Sequence, residues 1–122
     1  MKLHASALGH LHTFTGYGAG YVMVNGTRHE ASLLVLPERL EPWPVAGFET
    51  LAEEHFARIA ELKPEVVLLG TGGRLRFPDP RLTAPLARAR IGFEAMDLQA
   101  ACRTYNILMA EERNVLAALL FA

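Results

Sequence analysis

The sequence predicts an α/β protein in which helices cover both faces of a central mixed sheet. Three observations predict this class. Apolar runs typical of buried strands alternate with segments of helical periodicity over the second half of the chain. An Asn25-Gly26 pair between two strand-like runs predicts an N-terminal β-hairpin. The apolar run from Val66 to Leu69 stops abruptly at a glycine-rich turn, as a buried parallel strand does.

Length and composition restrict the domain organisation and the class of partner. A chain of 122 residues has the size of one domain, so we expect a single α/β domain over residues 1–122. Hydrophobic residues make up 51% and charged residues 20%, which is typical of folded globular proteins. A net charge of −1 gives no overall attraction to nucleic acid, and no apolar run is long enough to insert into a membrane. The single cysteine and the absence of a secretory signal predict a cytoplasmic protein.

The first half of the chain shows a hairpin, an irregular connection and a helix. The hairpin consists of residues 21–24 and the run 27–36. Three prolines around Trp43 then predict an extended connection that cannot be helical. Thr50 and Glu53 have the spacing of a capping box, and apolar residues recur at helical spacing until Pro64, so an amphipathic helix is predicted there.

The second half alternates between strands and helices. We predict strands over residues 65–70, 74–77, 91–96 and 115–121, and helices over residues 82–90 and 97–110. Asp97 is the predicted N-cap of the second of these helices. The run 115–121 is almost entirely apolar and is expected to be covered on both faces. Its end is also a candidate for pairing with a partner protein or a second copy of the chain.

The candidate ligand site is the turn Gly70-Thr71-Gly72-Gly73 at the end of the buried strand. Glycines allow closely spaced backbone N–H groups to approach an anion. The turn is not followed by the Lys-Ser/Thr of a phosphate-binding loop, and no dinucleotide fingerprint is present. The turn is therefore interpreted either as a purely structural tight turn or as a contact with a ligand or partner.

Other residues would complete an anion site at this turn. If the strands that end near Gly70 and Met96 run parallel, Asp97 and the start of its helix lie beside the turn. Arg74 and Arg76 are two residues apart on the predicted strand 74–77, so they would point to one side and could hold a carboxylate or phosphate. The alternative interpretation of these arginines is a solvated charged face.

We predict no catalytic residues, no metal site and no cofactor. Cys102 lies mid-helix among alanines, and no histidine follows it in the sequence, so a small buried apolar role is favoured over a thiolate nucleophile. His10 and His12 would share a strand face, but two ligands do not complete a metal site. Tyr105 and Asn106 are polar-tipped residues in a buried helix, and we expect them to bond backbone groups of the flanking loops.

Several motifs together resemble a known family. They are the Gly-Thr-Gly-Gly turn after Leu68-Leu69, Phe77-Pro78 with Pro80, the segment Ala101-Cys102-Arg103-Thr104-Tyr105-Asn106-Ile107-Leu108, Glu111, Arg113 and Ala117-Ala118-Leu119-Leu120. Through them the chain resembles, over nearly its whole length, a family of small bacterial, archaeal and eukaryotic domains of unknown function. That family includes the mitochondrial complex I assembly factor three and an adipogenesis-associated protein. The resemblance implies a three-layer domain with a central mixed sheet, and the eukaryotic role suggests assembly through protein contacts.

The sequence supports two functions. The first is a non-catalytic binding or assembly module that contacts a protein partner or forms a homo-oligomer. The second is a site for an anionic small molecule, or an enzyme active site, at the turn 70–73 with Asp97, Arg74 and Arg76. The family resemblance and the missing pair of nucleophile and base favour the first function.

Overall fold

The computed structural model describes residues 10–121, which form a five-stranded sheet, a three-stranded sheet and three α-helices. Residues 1–9 and 122 of the expected domain lie outside the described residues. The strands are β1 (Phe14–Gly18), β2 (Tyr21–Val24), β3 (Thr27–His29), β4 (Leu33–Leu36), β5 (Arg39–Pro42), β6 (Val66–Thr71), β7 (Gly92–Met96) and β8 (Val115–Leu120). The helices are α1 (Glu53–Glu61), α2 (Ala84–Arg88) and α3 (Leu98–Ala110), and a 3₁₀ turn spans Phe48–Thr50.

The large sheet is mixed, as the sequence predicts. Its strand order is β5-β4-β8-β6-β7. Strand β6 runs parallel to both β7 and β8, whereas β4 runs antiparallel to β5 and β8. The parallel part of the sheet therefore lies at one side, with the carboxyl ends of β6 and β7 at a common edge.

Buried side chains cover both faces of the large sheet. On one face, α3 and the small sheet pack on alternate strand residues such as Leu68 and Ala117. On the other face, α1, α2 and Trp43 pack on the intervening residues, such as Leu69. Because successive strand residues point to opposite faces, the apolar runs of β6 and β8 supply both cores. The predicted three-layer α/β architecture is confirmed.

The predicted N-terminal hairpin is present, but its second strand is shorter than expected. Asn25 and Gly26 have φ values of 48° and 84°, as the predicted hairpin turn requires. The prediction of one continuous strand over residues 27–36 is wrong, because the chain leaves the small sheet after β3 and enters the large sheet as β4. At this crossing the Ser32 hydroxyl donates to the Val45 carbonyl at 2.7 Å.

The predicted capping box of Thr50 and Glu53 is also wrong. The Thr50 hydroxyl bonds the backbone of Gly47 at 2.9 and 3.2 Å and closes the 3₁₀ turn instead. Helix α1 begins at Glu53, where the Ala52 N–H donates to His55 Nδ1 at 2.9 Å. The predicted extended connection around Trp43 contains an additional strand, β5, at the edge of the large sheet.

The run 115–121 does not offer a free end for pairing. Strand β8 lies between β4 and β6, so both of its edges are already hydrogen-bonded. This overturns the expectation that it extends the sheet into a partner. A strand that is apolar on both faces is most stable in the middle of a sheet, where both faces are covered. The outer strands of the large sheet are β5 and β7.

Candidate functional site

The turn 70–73 and the start of α3 lie side by side, as predicted from parallel strands. Gly70 is opposite Met96 in the ladder of β6 and β7. Beyond the strands, the Leu98 N–H donates to the Gly72 carbonyl at 2.8 Å. The two chain segments therefore leave the same edge of the sheet in direct contact.

Thr71 is fully buried and organises the loop that follows it. Its hydroxyl donates toward the carbonyls of Arg74 (2.7 Å) and Met96 (3.1 Å) and accepts the N–H of Arg76 (3.0 Å). The loop wraps around this hydroxyl, so the predicted strand over residues 74–77 is wrong. A further reason is that β6 already pairs with β7 and β8 and has no free edge.

Gly70 is needed for close packing. A Cβ at this position would lie 2.9 Å from Leu119 Cδ2 and 3.2 Å from Ala101 Cβ. These are distances at which a neighbouring atom must move. Gly70 therefore lets α3 approach β6, which agrees with the structural interpretation of the turn.

A cavity of about 280 Å³ opens beside the turn. Three of the predicted site residues, Gly72, Gly73 and Asp97, line it together with Leu98 and Gln99 of α3 and with Phe121. The opposite wall is the turn Gly18-Ala19-Gly20 between β1 and β2, which the sequence analysis did not identify. The available signal was the run of alternate glycines at positions 16, 18 and 20.

The charge of this cavity does not match an anion. Among the described residues that line the cavity, Asp97 alone has an ionisable side chain. The Asp97 carboxylate accepts the Ala100 N–H at 2.8 Å and so caps α3, as predicted. A carboxylate at a helix N-terminus already occupies the position in which the helix dipole stabilises negative charge.

The two predicted arginines line a different surface depression, which also includes Phe48 and Leu82. Arg76 lies over the Phe48 ring at 4.6 Å from its centroid and pairs with Glu49 at 2.9 Å. Arg74 is exposed. The structure thus brings Gly72, Gly73 and Asp97 together and places both arginines elsewhere.

Most of the arginines that follow the turn form ion pairs with carboxylates. Three of the five arginines between residues 74 and 90 have carboxylate partners: Arg76 with Glu49, Arg81 with Asp79 at 2.8 Å and Arg88 with Glu53 at 3.2 Å. The hydrogen bond from Arg81 lowers the pKa of Asp79. The local surplus of arginine in the sequence is therefore mostly balanced in the fold.

Sequence reasoning missed an exposed apolar pair in the loop after the turn. Phe77 is 73% exposed and Leu75 is 49% exposed. We call this pair the apolar tip. Thr71 fixes the backbone of Arg74 and Arg76, the two residues that flank Leu75. The signal in the sequence was an apolar pair alternating with arginine directly after a glycine-rich turn.

Cys102 has the environment expected of a small buried residue. It is fully buried in α3, and this burial raises the pKa of its thiol to about 12. The thiol is therefore protonated at neutral pH, and a protonated thiol is a poor nucleophile. This agrees with the prediction that Cys102 is a packing residue.

Tyr105 and Asn106 bond backbone groups, as expected. The Tyr105 hydroxyl donates to the His12 carbonyl at 2.8 Å. The Asn106 side chain accepts the Phe14 N–H at 2.9 Å and donates to the Phe14 carbonyl at 2.8 Å. These bonds attach α3 to the start of the small sheet, which forms one wall of the cavity.

Residues 10–121 contain neither a cluster of metal ligands nor a helix that could span a membrane. In this range no group of three or more His, Cys, Asp or Glu side chains is arranged to hold a metal ion. The helices of the same range are all too short or too polar to cross a membrane.

The fold and the site define an α/β domain with a glycine-lined cavity at the edge of its parallel strands. A crystal structure of a protein from Bordetella parapertussis has a TM-score of 0.85 and 45% sequence identity, covering 90% of this chain and 95% of that chain. The solution structure of a Bordetella pertussis protein, described as an Mth938-like domain, has a TM-score of 0.79 and 39% identity, covering 98% and 92%. These structures are similar to the chain over nearly their whole length.

The model of a family of proteins of unknown function, DUF498/DUF598, matches residues 14–120. The chain belongs to this family. It is also 32% identical, over 85% of its length, to NADH dehydrogenase (ubiquinone) 1 alpha subcomplex assembly factor 3 of Bos taurus. The chain spans 58% of the length of that relative. The resemblance stated from the sequence motifs is confirmed.

Proposed function

We propose that this domain is a non-catalytic module that binds a partner protein through the apolar tip, Leu75 and Phe77. The observation that carries the proposal is the 73% exposure of Phe77 beside a half-exposed Leu75. The relation to proteins named as assembly factors supports a role in protein contacts. The cytoplasm is the location we propose, because one buried cysteine suits a reducing compartment.

The energetics of the tip suit a protein contact. Burying an exposed phenylalanine or leucine side chain contributes about 1.5 to 3 kcal/mol, and aromatic residues are frequent among the energetically dominant residues of interfaces. The hydrogen bonds of Thr71 hold the loop in place before binding, which reduces the entropy lost when a partner orders it.

Charge beside the tip indicates what the partner surface presents. Arg74 is exposed and makes no ion pair among residues 10–121, whereas Asp79 is held by Arg81. The proposed partner therefore offers an apolar pocket with a carboxylate facing Arg74. The second hypothesis, an anionic small molecule, has no comparable support, because Asp97 is the ionisable side chain among the described residues of the cavity.

Site-specific photocrosslinking tests this proposal. The photoreactive amino acid p-benzoylphenylalanine is placed at position 77 in the cells from which the chain derives. Ile107 gives a matched control, because it is also an exposed apolar residue (60%) but lies on α3. We expect one adduct of defined mass from position 77 and none from position 107. The absence of an adduct at 77, or the same adducts from both positions, would overturn the proposal.

Substitution provides a second readout. Leu75→Ser with Phe77→Ser is expected to abolish the adduct formed by a crosslinker at Gly73, where a Cβ meets nothing within 4 Å, while Ile107→Ser leaves it unchanged. All of these side chains are exposed, so the free energy of unfolding should change by no more than about 0.5 kcal/mol per substitution. Urea unfolding of the purified variants checks that the domain remains folded.

A further inference from the structure

The two outer strands of the large sheet have different edges. Strand β5 ends at Pro42 and carries a charged cluster, in which Glu41 bonds Arg39 at 2.9 Å and Arg58 at 2.9 and 3.0 Å. Proline and fixed charges are the usual means by which an edge strand avoids pairing with another chain. The β5 edge is therefore protected.

Strand β7 lacks both the proline and the ion-paired cluster, and its single charged residue is Glu94. It pairs with β6 alone among the described residues. The Gly92 N–H donates to the Glu65 carbonyl at 3.2 Å, so Gly92 faces β6. Because strand residues alternate, the N–H and carbonyl groups of Phe93 and Ala95 point away from β6. Within residues 10–121 no other segment hydrogen-bonds these outward groups.

We propose that the β7 edge receives an extended segment of a partner protein, which adds a strand to the sheet and carries a lysine or arginine opposite Glu94. Glu94 is exposed and has no ion pair among the described residues. It is opposite Leu68 in the ladder and so lies on the α3 face of the sheet. An opposite charge on the neighbouring strand stabilises such a pairing, and a like charge opposes it.

The same glutamate argues against a second copy of this chain as the occupant. Two β7 strands related by a two-fold axis pair most fully when Phe93 of each bonds Ala95 of the other. This register is centred on Glu94, so the two Glu94 carboxylates would face each other across the new strand pair. Registers centred on Phe93 or Ala95 avoid this, but the first requires the Ile91 N–H, which already bonds the Leu86 carbonyl. In the register centred on Ala95, Phe93 of one copy would have to pair with Asp97 of the other. Asp97 is already engaged as the N-cap of α3.

Two synthetic peptides test the proposal on the whole chain labelled with ¹⁵N. They are acetyl-Thr-Val-Thr-Val-Arg-Val-Thr-Val-Thr-amide and its counterpart with Glu in place of Arg. We expect the Arg peptide to shift and protect the amides of Phe93 and Ala95, with the Glu peptide binding about fivefold more weakly. The Glu94→Arg variant should bind the Glu peptide more tightly than the Arg peptide. The proposal would be overturned if the unchanged chain and the variant each bound the two peptides equally. It would also be overturned if millimolar peptide did not shift the amide resonances of Phe93 and Ala95.

A substitution in β7 separates strand addition from binding elsewhere. Ala95→Pro removes the outward N–H without removing a bond to β6 and should abolish peptide binding. Ala95→Gly retains the N–H and should bind the Arg peptide within about twofold of the unchanged chain. Binding that survives in Ala95→Pro, with the domain still folded, would refute strand addition. These measurements do not involve the apolar tip, so their outcome is independent of the function proposed above.

Discussion

The hydroxyl of Thr71 shows how one side chain determines the character of this site. From the sequence, a threonine between glycines is a candidate ligand contact. In the fold its hydroxyl is buried and bonds the Arg74 and Met96 carbonyls and the Arg76 N–H. These contacts hold the loop that carries the apolar tip.

We predict that Thr71→Val lowers the free energy of unfolding by about 1 to 3 kcal/mol. Valine has almost the same shape, but it leaves a buried N–H and the carbonyl groups without their partner. Urea unfolding measures the change. Thr71→Ser is the control, because it keeps the hydroxyl and should lose less stability. If Thr71→Val were no less stable than Thr71→Ser, the hydrogen bonds of the hydroxyl would contribute no more to stability than the methyl group does.

Residue roles were predictable where they depend on neighbours in the sequence. The N-cap role of Asp97 follows from its position before a helix, and the backbone bonds of Asn106 follow from a polar side chain in a buried helix. The placement of Arg76 was not predictable in this way. Its partner Glu49 is 27 residues away and is brought near only by the packed fold.

Helix α3 packs closely on strand β6 at Gly70, a residue of β6. A Cβ at position 70 would meet Leu98 and Ala101 of α3 and Leu119 of β8. The same helix supplies the N-terminus beside the cavity. The distance between these two elements therefore fixes where Asp97 lies relative to the turn.

We predict that Gly70→Val destabilises the domain by about 1 to 3 kcal/mol, because its extra atoms overfill a packed interface. Gly73→Ala is the matched control in the same turn, since a Cβ there meets nothing within 4 Å, and its effect should stay within about 0.5 kcal/mol. Thermal unfolding monitored by circular dichroism measures both. If Gly70→Val did not lower the stability of the domain, α3 could move away from β6 without a cost in stability.

Elements were predictable where hydrophobic periodicity is local. The strand ending at the turn and helix α3 follow from short-range patterns, and the structure reproduces them. The division of residues 27–36 between two sheets depends on which strands lie nearby, and short-range patterns do not contain that information. The order of the large sheet, with β8 in its centre, likewise results from long-range pairing.

The three-layer arrangement leaves ionisable groups in places that water does not reach. Cys102 and Tyr105 both lie on α3 between the large and the small sheet. Burial raises the pKa of both groups. The unfolded chain can release these protons at a pH at which the folded domain cannot.

We predict that alkaline pH destabilises the domain partly through Cys102. An unfolded cysteine ionises near pH 8.5, whereas the folded thiol has a pKa of about 12. The part of the free energy of unfolding that depends on this thiol is fully present below pH 8.5 and is lost as the pH rises toward the folded pKa. Between pH 7.5 and 9.5 the free energy of unfolding therefore falls by about 1.4 kcal/mol. Urea unfolding at both pH values should show this loss, and Cys102→Ala should show a smaller one. An equal loss in both proteins would exclude the thiol as its source.

The position of β8 has a consequence for synthesis on the ribosome. Strands β4 and β6 meet only through β8, and Val35 pairs with Ala117, far along the chain. The nascent polypeptide therefore cannot close its large sheet until residues 115–120 have emerged from the exit tunnel. Until then one backbone edge of β4 and one of β6, each flanked by apolar side chains, remain unpaired and open to other chains.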